Sequence, residues 1–484
     1  MAVEEVIEEE VSVTHPEKER ASLWQSLRTF NLRAVILHEF TITEASVILM
    51  ASFFASALLG AVRQALFNAQ FGVSMEANAY YAAFRLPDTL FTLIAGGTLS
   101  NAMIPVLLGT LRKEGDAGYR LVSLVFTALL AVMAVIILLL ELFTPFFVTR
   151  ILAPGFDAET SALTVTLTRV KLMQPMILCI GSVATAVLNS QNRFLLPAIS
   201  IITYNTTLIA GILLTWIYPE LGVYGPTIGT VVGALLQVLI LWPGFTVLRG
   251  RTWLTWAPGD PHLREVVWLV IPNGLSAMVN YAGTIVDTAF ASLTAQLITL
   301  PAIYNASLLG NLPVTLLGYA VGVATFPRLA ARAEAKAWGQ LQRLLLQVLG
   351  VVCSLSLLAI ATIYFFGRIV IRLLFEHGEF DAVAGDATFS ALLIYALGLP
   401  SHITTEIVSR GLIAMRDTRT PLFTNIGQLI GRATLMAILV PRIGLYAIPL
   451  AFVISSTIET IALSTIITIK LRRRLAQGEL GIEN

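Results

Sequence analysis

Residues 121–140 read LVSLVFTALLAVMAVIILLL, 20 positions without a charged side chain. An α-helix rises about 1.5 Å per residue, so a stretch of this length matches the hydrocarbon core of a bilayer, which is about 30 Å thick. Uncharged stretches of similar length recur at residues 198–218 and 344–366. The first stretch therefore predicts a membrane-spanning helix, and its recurrence predicts a polytopic, all-α membrane protein.

The composition of the whole chain supports this interpretation. Of 484 residues, 56% are hydrophobic and 13% are charged, with a mean hydropathy of +0.80. Soluble domains carry about 25% charged residues, which excludes a water-soluble enzyme. The 31 basic and 30 acidic residues leave a net charge of +1, so no nucleic-acid partner is expected.

No metal or cofactor site is expected either. The chain has five histidines without ligand spacing, and its two cysteines, Cys179 and Cys353, lie inside apolar runs. It also carries no Walker loop and no nucleophile with an adjacent base, which argues against an enzyme. We therefore expect no cofactor, and an ion gradient or the membrane potential as the energy source.

A hydropathy reading of the chain predicts about twelve membrane spans. An even number places both termini on the same side of the membrane. The predicted spans are 44–70, 76–110, 119–146, 161–189, 197–217, 224–247, 265–292, 299–325, 342–366, 387–413, 420–440 and 445–470.

The basic residues predict which side holds the termini. Loops on the opposite side carry only Arg150, Arg368, Arg372 and Arg442, whereas the loops that share a side with the termini are rich in arginine and lysine. The positive-inside rule therefore puts both termini in the cytoplasm. We expect a tail with an interfacial helix over residues 1–43, one six-helix lobe over 44–250, a second over 264–472, and a tail over 473–484.

Two lobes are expected because the sequence contains an internal repeat. The segment LPDTL around Pro87 is echoed by LPVTL around Pro313, 226 positions later. A basic turn that ends at Pro197 is echoed by a second that ends at Pro421, 224 positions later. Since six helices return the chain to its starting side, the two lobes should be related by a pseudo-twofold axis along the membrane normal.

Arg63 and Arg85 are the strongest candidates for a binding site. Arg63 lies in the middle of the first span, and Arg85 precedes the helix-breaking Pro87 in the second. A charge at this depth needs a partner or a water-filled cavity, and guanidinium groups bind phosphate oxygens in a fork geometry. We predict an anion site shared by the two arginines. The structural alternative is a bridge from Asp88 to one of them.

Other charged residues inside the spans have simpler explanations. Glu406 and Arg410 have the spacing of an ion pair within one helix. Arg169 and Lys171 either extend to the interface or contact a ligand. Arg432 has Glu459 as a guessed counter-ion.

Several segments of the chain resemble a known family. They resemble the MurJ/MviN family, the lipid II flippases of peptidoglycan synthesis, within the multidrug/oligosaccharidyl-lipid/polysaccharide exporter superfamily. The resemblance covers roughly residues 44–470 and is carried by GAVR (60–63), AYYAAFRLP (79–87), LSNA (99–102), LNSQNRF (188–194) and RGLIAMRDTRTP (410–421).

The resemblance implies alternating access by two lobes around a central cationic cavity in the bacterial plasma (inner) membrane. Arg63 would receive the diphosphate of a polyprenyl-linked saccharide, and Arg85 would assist. Asn78 and Asn101 would hydrogen-bond its sugar or peptide, while the polyprenyl tail stays among the membrane lipids. Neutral residues at several positions where the family carries charge, such as Gln64, widen the expected substrate to lipid II or a related lipid-linked precursor.

Two other functions fit the same sequence. A cation-coupled exporter of amphipathic drugs would use Asp287 as its proton- or sodium-responsive carboxylate. A non-transporting scaffold would recruit envelope-synthesis enzymes through its basic loops and N-terminal tail. Substitutions in the cavity distinguish these alternatives from a flippase.

Overall fold

The computed structural model of this chain describes residues 40–94, 98–248 and 253–479. Within these ranges the chain is helical and contains no β-strand. Residues 1–39 of the expected tail and interfacial helix, and residues 480–484 of the C-terminal tail, lie outside the described part.

Sixteen α-helices make up the described part of the chain. In chain order they are α1 (Ile42–Phe71), α2 (Met75–Ala83), α3 (Arg85–Ile94), α4 (Thr98–Glu114), α5 (Arg120–Phe147), α6 (Ala158–Ser190), α7 (Leu195–Ile217), α8 (Tyr224–Leu241), α9 (Pro261–Ser292), α10 (Thr299–Pro313), α11 (Val321–Glu334), α12 (Trp338–Leu374), α13 (Ala382–Leu397), α14 (Leu399–Ala414), α15 (Arg419–Ile443) and α16 (Ala447–Glu479).

The sixteen helices account for the twelve predicted spans, because three of the spans consist of more than one helix. The second consists of α2, α3 and α4. The eighth consists of α10 and α11, joined by a π-helical segment, Val314–Ala320. The tenth consists of α13 and α14, which meet at a bend of 46°. Length and composition alone identify eight of the described helical segments as candidate spans, or nine with the bent pair, and the expected polytopic helical fold is confirmed.

The two halves of the repeat share local geometry. In the turn after α6, the N–H of Arg193 donates to the carbonyl of Leu188, and in the turn after α14 the N–H of Asp417 donates to the carbonyl of Leu412, both at 2.9 Å. In each turn the residue before the donor is left-handed, with φ of 56° and 63°. This is the same helix-terminating motif in both halves, 224 positions apart.

The buried side chains of the described residues form one core that both halves share and three that they do not, the smallest of which lies in the first half around Leu172. We call the end of the molecule that holds the α1–α2 and α12–α13 connections the outer end, and the opposite end the inner end. The shared core lies toward the outer end and includes Phe67, Tyr80, Ala302, Phe375 and Ala447.

Toward the inner end, each half has a separate core. One includes Leu107, Leu124 and Val187, and the other includes Leu345 and Leu412. Apart from the start of α9, apolar burial therefore joins the halves at the outer end and not at the inner end. The start of α9 packs with the first half, so this helix passes from one half to the other.

Close backbone contacts seal the outer end. The N–H of Glu379 donates to the carbonyl of Ala69 at 2.9 Å, and the N–H of Gly155 donates to Ser292 Oγ at 3.1 Å. A Cβ atom at Gly155 would lie 2.3 Å from the carbonyl oxygen of Ser292. Only glycine allows the backbones to approach this closely.

Gly155→Ala is therefore expected to open the outer end. The added methyl group overlaps a backbone oxygen, and overpacking of this kind costs about 1–3 kcal/mol. In a variant lacking Cys179 and Cys353, a cysteine introduced by Ala291→Cys should react with a maleimide in detergent solution about tenfold faster when Gly155→Ala is also present.

Gly109→Ala in α4 is the matched control, because a Cβ at Gly109 meets no atom within 4 Å. We expect it to leave the labelling rate unchanged. Equal rates for Gly155→Ala and Gly109→Ala would contradict the close contact at Gly155.

Candidate functional site

Two cavities with charged side chains in their walls lie where the helices of the two halves face each other. The first has a volume of about 380 Å³ and the second about 500 Å³. The side chains that line the first include Ser56, Arg63, Gln64, Tyr80, Phe84, Arg85, Asp88, Tyr204, Asn205, Tyr281 and Tyr304. Those that line the second include Arg85, Asp287, Thr288, Tyr395, His402, Glu406, Gln428, Arg432 and Glu459.

Arg63 is held in the first cavity by a neutral partner. It lies on α1, and its Nη1 donates to Asn205 Oδ1 on α7 at 3.0 Å. Asn205 Nδ2 in turn donates to the carbonyl oxygen and Oγ of Ser56, at 3.0 and 2.9 Å. Asn205 thus occupies one of the five donors of the guanidinium and orients the group without neutralising its charge.

Arg85 lines both cavities and lies between them. It is the first residue of α3, immediately after the interruption at Phe84, and its Nε donates to Thr288 Oγ1 on α9 at 2.8 Å. On the same two helices, the hydroxyl of Tyr281 donates to Asp88 Oδ2 at 3.0 Å. The middle helix of the interrupted second span, α3, is therefore connected to α9 by two hydrogen bonds.

The structural alternative for the two arginines is not what the structure shows. Among the ion pairs of the described residues, none joins Asp88 to Arg63 or Arg85. Asp88 instead accepts a hydrogen bond from a tyrosine. The two guanidinium groups thus share one cavity with a single carboxylate.

The structure describes the side chain of only one of the two asparagines that were expected to contact substrate. Asn78 is 4% exposed, and its Nδ2 donates to the carbonyls of Ser74 and Leu297, both at 2.8 Å. Neither described cavity has it in its lining. Asn78 thus joins α2 to the α9–α10 connection, which runs against the expected substrate contact. Asn101 belongs to α4, and its side chain lies outside the described part of the structure.

Asp287 is paired, and its partner differs from the one expected. Arg432 Nη2 donates to Asp287 Oδ2, and the two side chains are 9% and 13% exposed. The guessed pairing of Arg432 with Glu459 is therefore wrong. The Arg432 guanidinium also lies 4.7 Å from the ring of Phe452. Asp287 lines the second cavity as half of an ion pair.

Of two other charged pairs inside the spans, the sequence spacing predicted the first, and the second was not expected. Arg410 Nη2 lies 3.5 Å from Glu406 Oε2 within α14, as the spacing predicted. Arg169 Nε lies 3.7 Å from Glu141 Oε2 near the outer end. Lys171 does neither of the things expected of it, because it is completely buried.

Sequence reasoning missed the polar contacts between distant helices. Gln64 Nε2 lies within hydrogen-bond distance of Asn68 Oδ1, Tyr81 Oη and Asn305 Oδ1, at 2.7 to 2.9 Å. Tyr81 stacks on Tyr304 with ring centroids 4.4 Å apart. The paired tyrosines after Asn78 were a visible signal, but their partner on α10 is more than 200 positions away.

The first cavity thus combines two cations with aromatic side chains at membrane depth. Guanidinium groups bind phosphate oxygens with two parallel hydrogen bonds, and the low dielectric of the membrane interior strengthens such contacts. Within the described residues, no three histidine, cysteine, aspartate or glutamate side chains come together to hold a metal. The arrangement suits the binding of a phosphorylated amphiphile.

Known proteins were compared with this chain at the level of sequence. A family model described as "Lipid II flippase MurJ" matches residues 67–481. A probable lipid II flippase MurJ of Rhizobium meliloti is 28% identical over 378 residues, which cover 76% of this chain and 69% of the relative. A lipid II flippase MurJ of Burkholderia cenocepacia is 29% identical over 419 residues, covering 84% and 80%.

Solved structures show the same fold. A lipid II flippase MurJ in an inward closed conformation superimposes with a TM-score of 0.75 at 23% identity, over 88% of this chain and 89% of that one. An inward-facing multidrug transporter of the MATE family, in the MOP superfamily, also superimposes with a TM-score of 0.75. Its identity is 15%, over 87% of this chain and 96% of that one. At these identities the likeness is one of fold.

Proposed function

This chain belongs to the lipid II flippase MurJ family, whose model matches residues 67–481, and from that premise we propose that it moves lipid II or a related polyprenyl-diphosphate saccharide across the bacterial inner membrane. It acts as a transporter and not as an enzyme. The headgroup crosses through the two cavities while the polyprenyl tail remains in the surrounding lipid.

One observation carries the proposal to this chain's own residues. Arg63 and Arg85 line the same cavity, and the groups that orient them, Asn205 and Thr288, are neutral. A half-buried cation at membrane depth without an ion-pair partner is costly, which makes an anionic ligand the natural reason for it. The diphosphate of a lipid-linked saccharide is such a ligand.

The packing of the halves supports alternating access. The cores are joined at the outer end and separate at the inner end, where the described part of the chain begins and ends. We propose that the termini lie in the cytoplasm, so that the inner end faces the cytoplasm. A conformation whose halves are separate at the inner end then receives the headgroup from the cytoplasm. Release requires the outer contacts, such as that between Gly155 and Ser292, to break as the inner ends close.

The second cavity offers room for the remainder of the headgroup. It is lined by amide, hydroxyl and carboxylate groups and shares Arg85 with the first. Because Asp287 is paired with Arg432, it is a poor choice for the freely titrating carboxylate of a cation-coupled drug exporter. The scaffold alternative leaves the two arginines of the first cavity without a role.

Reconstitution tests the proposal directly. The full chain in liposomes should transfer fluorescent lipid II from one leaflet to the other, while empty liposomes should not. Mass spectrometry of lipids that copurify in native membrane particles should find an undecaprenyl diphosphate species. A chain that neither retains nor transfers a polyprenyl diphosphate would contradict the proposed function and favour the scaffold.

A further inference from the structure

Lys171 is a buried cation next to the first cavity, and nothing described so far uses it. It lies on α6, and none of its surface is exposed. Its Nζ is 3.1 Å from the centre of the Phe84 ring and 3.5 Å from the centre of the Tyr80 ring. The ammonium group is therefore held against two aromatic rings by cation–π contacts.

A structural role explains part of this arrangement. Lys171 Nζ donates to the carbonyl of Tyr80 at 3.4 Å, close to the point where the second span is interrupted. At that point the backbone N–H of Phe84 donates a hydrogen bond to the carbonyl of Ala82. Lys171 thus donates a hydrogen bond to a carbonyl near the C-terminus of α2, where the helix dipole favours a cation.

The structural role does not account for the positive charge. A neutral donor would satisfy the same carbonyl without the cost of burying a cation in the membrane. An ammonium group has three donors, and the carbonyl of Tyr80 is a distant acceptor for one of them. The faces of the Tyr80 and Phe84 rings favour the charged form of Lys171, and an anion in the cavity would favour it further.

The rings that hold Lys171 are also the wall of the first cavity. Tyr80 and Phe84 both line it, together with Arg63 and Arg85. Lys171 thus contacts two rings that line the cavity and is not itself part of the lining. In a medium of low dielectric constant, a charge at this distance acts strongly on an anion in the cavity.

We propose that Lys171 is a third cation of the first cavity, a positioning residue that strengthens the binding of an anionic headgroup through the Tyr80 and Phe84 rings without touching it. The inference rests on the proposed function, because it takes the diphosphate as the ligand. It gives the cavity three cations against the carboxylate of Asp88, with only the two arginines available for direct contact.

Binding measurements on the full chain in nanodiscs test this inference. Undecaprenyl diphosphate and the neutral undecaprenol serve as probes, and Lys171→Met removes the charge at nearly constant length. We expect Lys171→Met to weaken the binding of undecaprenyl diphosphate about tenfold and to leave undecaprenol unchanged, while Lys171→Arg keeps most of the affinity. Equal weakening of both probes, or of neither, would overturn the inference in favour of a structural role.

Phe84→Leu tests the same inference if Lys171→Met does not fold. Loss of one ring brings the ammonium group to the cavity, so affinity for undecaprenyl diphosphate should rise about threefold, and no rise would contradict the inference. Arg63→Gln in the same assay separates the two hypotheses. If Arg63→Gln weakens the binding of undecaprenyl diphosphate and Lys171→Met leaves it unchanged, only the inference about Lys171 is overturned. If both variants bind as the native chain does, the proposed function is contradicted as well.

Discussion

Replacing Arg63 and Arg85 together by glutamine is expected to abolish the transfer of lipid II by the reconstituted protein. Both side chains line the first cavity, and charge-assisted hydrogen bonds are worth about 1.5–3 kcal/mol each. Loss of both should weaken the binding of undecaprenyl diphosphate at least about a hundredfold. The measurements are the rate of lipid II transfer in liposomes and the Kd for undecaprenyl diphosphate in nanodiscs.

Single substitutions and a matched control sharpen this result. Arg63→Lys keeps the charge but loses the planar fork, so it should fall between the native chain and Arg63→Gln. Arg343→Gln removes an arginine that is exposed near the inner end of α12 and should transfer lipid II at the native rate. Full activity of the double variant would show that the anion is bound elsewhere.

Neutralising Asp287 alone should destabilise the protein more than neutralising Asp287 and Arg432 together. Asp287→Asn leaves the buried Arg432 guanidinium without a counter-ion, and breaking a buried pair costs about 3–5 kcal/mol. The double variant Asp287→Asn, Arg432→Gln removes both charges and should recover most of that loss. Thermal unfolding in detergent measures the difference.

Glu334→Gln is the control for this series, because Glu334 is exposed at the end of α11 and its loss should leave the Tm unchanged. A double variant as unstable as Asp287→Asn would contradict the view that the two charges mainly neutralise each other. Transfer of lipid II by a folded double variant would also exclude Asp287 as an essential coupling carboxylate.

The positions of the spans were predictable because the bilayer itself selects them. A segment that crosses hydrocarbon must be long and apolar whatever its neighbours are, so α5 and α12 are visible in the sequence. Proline near an interruption is similarly local, and both Pro87 and Pro313 lie where a span is broken. The repeat was visible because duplicated turns keep their own sequence signals.

The partners of polar side chains were not predictable in this way. The sequence suggested Glu459, in the next helix, as the counter-ion of Arg432. The carboxylate that pairs with Arg432 is Asp287, which lies 145 positions away on α9. Asn78 has the chemistry of a sugar contact but is used to join two segments of backbone. Lys171 looked like an interfacial lysine and is enclosed by aromatic rings of the second span.

The amino-acid sequence alone therefore determined the membrane-spanning helices, the interruption beside Pro87 and the duplicated turns, because each depends on the solvent around a segment or on backbone geometry within it. Only the tertiary structure decided that Arg63 and Arg85 share a cavity, that Asp287 is neutralised, and which end of the molecule is sealed. Those properties arise where helices far apart in the chain meet, and hydrogen bonds and ion pairs act over a few ångströms in space without regard to separation along the chain.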